Sequence, residues 1–308
     1  MNNQKEILIL EDLGIPSINF EEIVSESGLT FTFVKDNCIS ANVEGIITVK
    51  TKVNQQLIEK YPNLKFIAVA FTGYDCVDLD FCNQKNILVF NVPAYSTNSV
   101  AELAVGLAIS LLREIPKATN IVQSGKWDLK PGLELSGKKI GILGTGEIGI
   151  TTAKYFKTFG CEIIGWSKSE RVEFKKYGTY TNDLIELFSS VDIISIHTPL
   201  NEKTKGMIAD KELSSMKPTS YIINAARGPI IDKNALYKIL TEEKIAGAAI
   251  DVFDQEPLEA NSPFLDLSNI ILTPHIAYKT EEALNRRAQI TIDNIVQFIN
   301  GKPVNVVS

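Results

Sequence analysis

The sequence predicts an α/β protein of two domains, each a parallel sheet with helices on both faces. Three observations carry that reading. Short β-branched or aromatic runs alternate with helix-like segments along nearly all of the 308 residues, which is the pattern of strand–helix–strand crossovers. A glycine cluster, Gly144-Thr145-Gly146-Glu147-Ile148-Gly149, stands between an apolar run and a helical pattern. The length itself fits two domains at about 150 residues each.

Taken in order, strands are predicted over 6–10, 31–34, 45–49, 66–70 and 87–90, with helices over 19–26, 54–61 and 79–85. This first unit has no G-x-G-x-x-G and is not expected to bind a dinucleotide by itself. The character changes after Val92-Pro93-Ala94. The stretch 99–115 reads as one long helix, apolar nearly all round, buried in a core or at a subunit interface. The segment 116–137 is polar and irregular and carries Trp127. It reads as an arm that helps build a dimer, or as a loop folded on its own domain.

From Lys139 the alternation resumes, with strands over 140–143, 162–166, 191–196, 220–224, 247–250 and 269–272. Helices are predicted over 147–159, 183–189, 211–216 and 233–242, with a last one over about 280–299. That last helix is expected to return to the first domain. The organisation would then be discontinuous: 1–94 with 285–308 as a smaller, flavodoxin-like substrate domain, and 95–284 as a Rossmann-type dinucleotide-binding domain.

Composition narrows the function. A net charge of −6 and a pI near 5.2 argue against nucleic-acid binding, which needs basic surface. No apolar run approaches the ~18 residues of a membrane span, and the polar start Met1-Asn2-Asn3-Gln4-Lys5-Glu6 is not a signal peptide. Cys38, Cys76, Cys82 and Cys161 show no metal-binding spacing and read as reduced thiols of a cytoplasmic protein. No metal site is expected.

In the glycine cluster, Gly144 allows the tight turn, Gly146 lets backbone approach a pyrophosphate, and Gly149 lets the helix pack against the strand. The N–H groups at the helix start would face the phosphates. An NAD site usually has an acidic residue at the end of the next strand to grip the ribose. Here Trp166 is followed by Ser167 and Lys168, with Arg171 close behind. A hydroxyl and a cation accept a 2′-phosphate that a carboxylate would repel, so NADP(H) is expected over NAD(H), unless Glu170 or a neighbouring loop supplies the carboxylate.

Three further segments follow predicted strands, at the sheet edge where α/β proteins bind ligands: Asn224-Ala225-Ala226-Arg227-Gly228, Asp251-Val252-Phe253-Asp254-Gln255-Glu256-Pro257 and Thr273-Pro274-His275-Ile276-Ala277. With the further motifs below, these segments resemble the D-isomer-specific 2-hydroxyacid dehydrogenases, whose reaction, reduction of a 2-keto acid, needs a hydride, a proton and a cation for the carboxylate. Arg227 offers an always-charged planar fork. His275 can donate the proton, and Glu256 can orient the ring and stabilise its charged form. Taken singly, Arg227 and Glu256 suit a surface ion pair and His275 a structural histidine; together they suit this reaction.

With Thr72-Gly73-Tyr74-Asp75, Asn91-Val92-Pro93 and His197-Thr198-Pro199, these motifs cover nearly the whole chain, and it resembles the D-isomer-specific 2-hydroxyacid dehydrogenases. The resemblance implies Arg227, Glu256 and His275 as the catalytic set, with Thr72, Gly73 and Arg227 holding substrate. It implies Gly144, Gly146, Glu147, Ile148, Gly149, Ser167, Lys168, Thr198, Pro199, Ala225, Ala226 and Asp251 around the coenzyme. The alternative for Asp251 is a strand-end cap. His197 is expected to shape its loop rather than transfer a proton.

A small 2-keto or 2-hydroxy acid substrate follows from the resemblance, with hydroxypyruvate or glyoxylate ahead of D-lactate or D-3-phosphoglycerate chemistry, and a homodimer is expected from the arm over 116–137. Formate dehydrogenase carries Gln where this chain has Glu256. From another class, dinucleotide-sensing corepressors share the fold but carry interaction tails.

Overall fold

A computed structural model describes residues 6–14, 17–28, 32–35, 41–128 and 130–307. Residues 1–5, Phe31 and Cys38 lie outside them. The chain forms two compact units, Met1–Ser96 with Lys279–Ser308, and Thr97–Tyr278.

The first unit holds strands β1 (Glu6–Ile9), β2 (Thr32–Lys35), β3 (Val43–Thr48), β4 (Phe66–Val69) and β5 (Leu88–Phe90) and helices α1 (Ser17–Glu26), α2 (Gln55–Ile58) and α3 (Leu79–Gln84). The sheet runs β2-β1-β3-β4-β5 with every pair parallel, the flavodoxin-like order. β4 is buried at all four positions, FIAV, as a strand covered on both faces must be. The long last helix of the chain, Glu281–Ile299, packs on α1 and β4. Its Phe298 ring lies 4.8 Å from that of Phe66. Thr280 caps its first turn by accepting from the Ala283 N–H at 3.2 Å, a loss of which typically costs ~1 kcal/mol. Beyond it the chain adds an antiparallel bridge, Phe90 to Val306, at the β5 edge.

The second unit opens with α4 (Thr97–Leu112) and α5 (Ile115–Gln123). One helix over 99–115 was expected, followed by irregular chain, and the difference has a backbone cause. Glu114 adopts φ 48°, which ends α4, and Pro116 sits in the first turn of α5, where its missing N–H costs nothing. α4 buries nine residues, whereas α5 buries none.

Seven parallel strands follow: β6 (Lys139–Leu143), β7 (Glu162–Trp166), β8 (Thr179–Tyr180), β9 (Ile193–Ile196), β10 (Tyr221–Asn224), β11 (Gly247–Ile250) and β12 (Ile270–Leu272). Their order is β12-β11-β10-β9-β6-β7-β8, the doubly wound dinucleotide-binding arrangement with one added strand. The two-residue β8 was too short to show in the sequence pattern. Alternation fills both faces. Ile194, Ile222 and Ala248 join a cluster with Leu187 of α7 (Leu184–Ser190) and Leu236 of α9 (Lys233–Thr241). Their neighbours Ile193, Ile223 and Ala249 join one with Ala108 of α4 and Phe156 of α6 (Glu147–Thr158). The remaining short helix, α8, spans Asp210–Ser214. Last in the chain, Glu281–Ile299 is α10.

Candidate active site

β6 lies between β7 and β9, where the direction of winding reverses and doubly wound folds bind ligands. The glycine turn stands there. Gly144 has φ +97°, and a Cβ on it would fall 2.7 Å from the Thr198 nitrogen. A Cβ on Gly149 would fall 1.9 Å from the Gly144 carbonyl oxygen, whereas one on Gly146 would meet nothing within 4 Å. The turn is therefore closed on its protein side and open above Gly146. Gly146 is the N-cap of α6 and has no side chain to cap it, so the N–H groups of that first turn suit a pyrophosphate. The residues present fit a dinucleotide.

Around the loop after β7, the Gly144 N–H donates to the Trp166 carbonyl at 2.8 Å, which sets Ser167 beside the turn. Ser167 is half-buried and Lys168 exposed. Glu170, the alternative source of a ribose-binding carboxylate, is paired with Lys175 at 2.5 Å. The Tyr180 hydroxyl donates to Thr145 Oγ1 at 2.7 Å and accepts from the Arg171 N–H at 2.9 Å. Arg171 Nη2 in turn meets Glu147 Oε1 at 3.0 Å. None of these contacts was legible in the sequence.

His197 ends β9 with Nε2 2.8 Å from Ser195 Oγ, and burial holds its ring far below the usual range, at about 3. It is neutral at physiological pH, as a structural histidine would be. Thr198 is buried beside Gly144, and the Pro199 carbonyl accepts from Thr204 Oγ1 at 2.6 Å.

β10, β11 and β12 are adjacent and end in register, Asn224 opposite Ile250 and Ile250 opposite Leu272. The loops they release therefore share one edge. After β10, the buried Asn224 side chain accepts from the Ala226 N–H at 3.0 Å and donates to the Arg227 carbonyl at 2.9 Å. Ala225 and Ala226 form the turn, and Arg227 Nη1 donates to the Ala226 carbonyl at 2.8 Å. Gly228 then packs backbone to backbone on the next loop: a Cβ there would lie 2.2 Å from the Phe253 carbonyl carbon. The loops bearing Arg227 and Glu256 are thus in contact.

Asp251 organises the third loop. It is fully buried and accepts from Thr273 Oγ1 at 2.6 Å and from the Ile276 and Ala277 N–H groups, each at 2.9 Å. Burial raises its pKa against those donors. The backbone of His275 takes φ 51°, and its N–H donates to the carbonyls of Asp251 and Thr273. The Asp251 carboxylate is a cap for the turn that presents His275. That ring places Nδ1 2.6 Å from Glu256 Oε2 and meets Tyr278 edge-on at 5.4 Å. Glu256 Oε1 accepts from the Phe253 N–H at 3.2 Å. An ionised carboxylate only accepts, so in that contact Nδ1 is the donor to Glu256.

Within the first unit, Thr72 Oγ1 donates to the Val92 carbonyl at 3.0 Å, and the Thr72 carbonyl accepts from Asn91 Nδ2 at 2.7 Å. The Thr72 hydroxyl and carbonyl are thereby both engaged within the unit.

Residues 105–277 match the profile of the D-isomer specific 2-hydroxyacid dehydrogenase, NAD binding domain. A glyoxylate reductase of Thermofilum pendens is 40% identical over 260 residues, covering 82% of this chain and 76% of the relative. Among solved structures, the NADPH-dependent glyoxylate/hydroxypyruvate reductase of Sinorhizobium meliloti, in complex with NADP and malonate, superposes with a TM-score of 0.88 at 28% identity, over 99% of this chain and 97% of that one. The D-lactate dehydrogenase of Aquifex aeolicus, complexed with NAD and lactic acid, gives 0.85 at 29% identity over 96% of each chain. A glycine turn at the reversal of the sheet and an Arg, Glu and His on adjoining strand ends agree with those matches: the chain belongs to the D-isomer-specific 2-hydroxyacid dehydrogenase family of NAD(P)-dependent oxidoreductases.

Proposed function

We propose that this chain reduces a small polar 2-keto acid, hydroxypyruvate or glyoxylate before pyruvate, to the D-2-hydroxy acid, with NADPH preferred over NADH. The observation that carries the chemistry is the 2.6 Å contact between His275 and Glu256 on a loop edge shared with Arg227. When bound, the coenzyme supplies the hydride. Arg227 holds the substrate carboxylate and polarises the adjacent carbonyl, and the Thr72-Gly73 main chain offers the carboxylate further N–H donors. The protonated His275 gives its Nε2 proton to the oxygen that becomes the alcohol, and Glu256 keeps the ring oriented and its cation stabilised. In the oxidative direction the neutral ring takes that proton back.

Gly144, Gly146, Glu147, Ile148 and Gly149 cradle the pyrophosphate through main-chain N–H groups, and Thr198, Pro199, Ala225 and Ala226 border the coenzyme. Ser167 and Lys168 receive the 2′-phosphate. The preference for NADPH is supported by this hydroxyl and cation and by the pairing of Glu170 with Lys175.

The working form is a homodimer in the cytoplasm. Support for the dimer comes from α5, which buries nothing, and from Ile115, Val122 and Trp127 at 45%, 55% and 88% exposure. Cys82 and Cys161 are free thiols, as a reducing compartment keeps them. A panel of 2-keto acids tested with both coenzymes decides the catalytic reading. Turnover of hydroxypyruvate or glyoxylate with a lower Kd for NADPH supports it; binding of NADPH without turnover of any 2-keto acid would favour a dinucleotide-sensing role instead.

A further inference from the structure

Glu147 occupies an unexpected position for a carboxylate. It is the first residue of α6, next to the N–H groups that suit a pyrophosphate, where a second negative charge repels the ligand. Its charge is met by Arg171: Nη2 lies 3.0 Å from Glu147 Oε1, while Nε lies 3.8 Å from Glu173 Oε2. The Arg171 backbone is fixed, because its main-chain N–H is held by the Tyr180 hydroxyl at 2.9 Å. That hydroxyl is anchored in turn on Thr145 of the glycine turn at 2.7 Å. Thr145 is buried, and the Phe174 and Tyr180 rings pack with centroids 4.8 Å apart. A rigid frame thus joins the glycine turn to the loop after β7. The charged ends of Glu147 and Arg171 are its movable part, with side chains 67% and 48% exposed.

We infer that Glu147 sets coenzyme selectivity by competing with the 2′-phosphate of NADPH for Arg171. Arg171 Nη2, 3.0 Å from Glu147 Oε1, neutralises that carboxylate. A 2′-phosphate received by Ser167 and Lys168 adds a second anion within the same loop, and the guanidinium, which suits phosphate through paired N–H donors, exchanges its carboxylate partner for it. NADH brings no such competitor and leaves the Glu147–Arg171 pair in place. Glu147 acts through Arg171, so it is a positioning residue, and it tempers the preference for NADPH rather than creating it. The inference rests on the reading that the 2′-phosphate lies by Ser167.

The test is a binding measurement on the full chain, the Kd of NADPH and of NADH from nicotinamide fluorescence, for wild type, Glu147→Gln, Arg171→Gln and the double variant. Exposed ion pairs of this kind are worth up to about 1 kcal/mol, so Glu147→Gln should raise the NADH-to-NADPH Kd ratio about two- to fivefold. In the Arg171→Gln background the same substitution should leave that ratio unchanged, since the competition is gone. Equal tightening of both coenzymes, or the same ratio change with and without Arg171, overturns the inference. A wild type that binds NADH better than NADPH would sink the proposed coenzyme preference separately, while the ratio change still reads the competition.

Discussion

Replacing Glu256 by Gln isolates the contact on which the proposed proton delivery depends. The side chain performs two acceptor tasks, Oε2 for His275 Nδ1 at 2.6 Å and Oε1 for the Phe253 N–H at 3.2 Å. An amide has one oxygen and one NH₂ group. If the oxygen faces the ring, the NH₂ faces the Phe253 N–H and two donors oppose each other. If the amide flips, His275 loses its acceptor. A hydrogen bond to a charged group is worth about 1.5–3 kcal/mol and ~1.4 kcal/mol is a factor of ten, so kcat/KM should fall roughly 10- to 150-fold. The assay is initial-rate oxidation of NADPH or NADH with a 2-keto acid, alongside the Kd of the coenzyme. Unchanged coenzyme binding with reduced turnover is the expected result. Wild-type turnover, or loss of coenzyme binding in parallel with it, would refute the reasoning.

Other substitutions probe the frame around that contact. Gly149→Ala puts a Cβ where 1.9 Å separates it from the Gly144 carbonyl oxygen; the turn must open, costing about 1–3 kcal/mol of stability, and coenzyme affinity measured by fluorescence should fall at least tenfold. Asp251→Asn turns a donor toward the Ala277 N–H now bonded at 2.9 Å. Leaving that donor unsatisfied costs about 1–3 kcal/mol, and at ~2–4 °C per kcal/mol calorimetry should show Tm lower by roughly 2–12 °C; an unchanged Tm would remove Asp251 as the cap of the His275 turn. His197 has a folded pKa depressed from 6.5 to about 3, so the unfolded chain takes up its proton first. Its contribution is intact above pH 6.5 and is lost as pH falls towards 3. Denaturant titrations of His197→Gln should therefore show a shallower loss of stability than wild type across that window.

What the sequence made legible is what backbone periodicity and rigid motifs encode. Gly144 and Gly149 mark the turn because a Cβ there would strike backbone at 2.7 and 1.9 Å, while Gly146 leaves the space above it open. Arg227, Glu256 and His275 could be grouped because each follows an apolar run short enough to be a buried strand. The break at Glu114 was hidden: φ 48° at a non-glycine leaves no compositional trace, and Pro116 reads as a stop when it is a start. Tyr180 and Thr145, 35 positions apart, and Arg171 and Glu147, 24 apart, meet only because β7 and β6 pair in parallel. Asp251 was visible as a strand-end acid. Its role as a cap is set by the Ile276 and Ala277 N–H groups, which no spacing announces.

In the proposed mechanism His275 supplies the proton while the glycine turn holds the coenzyme, two tasks on separate loops. His275→Asn separates them in one preparation, by coenzyme titration followed by turnover of hydroxypyruvate or glyoxylate. The expected result is a Kd for NADPH within about twofold of wild type and a kcat lowered about 10²- to 10⁴-fold, the usual worth of a positioned general acid. Turnover close to wild type, or coenzyme affinity lost together with activity, would contradict it.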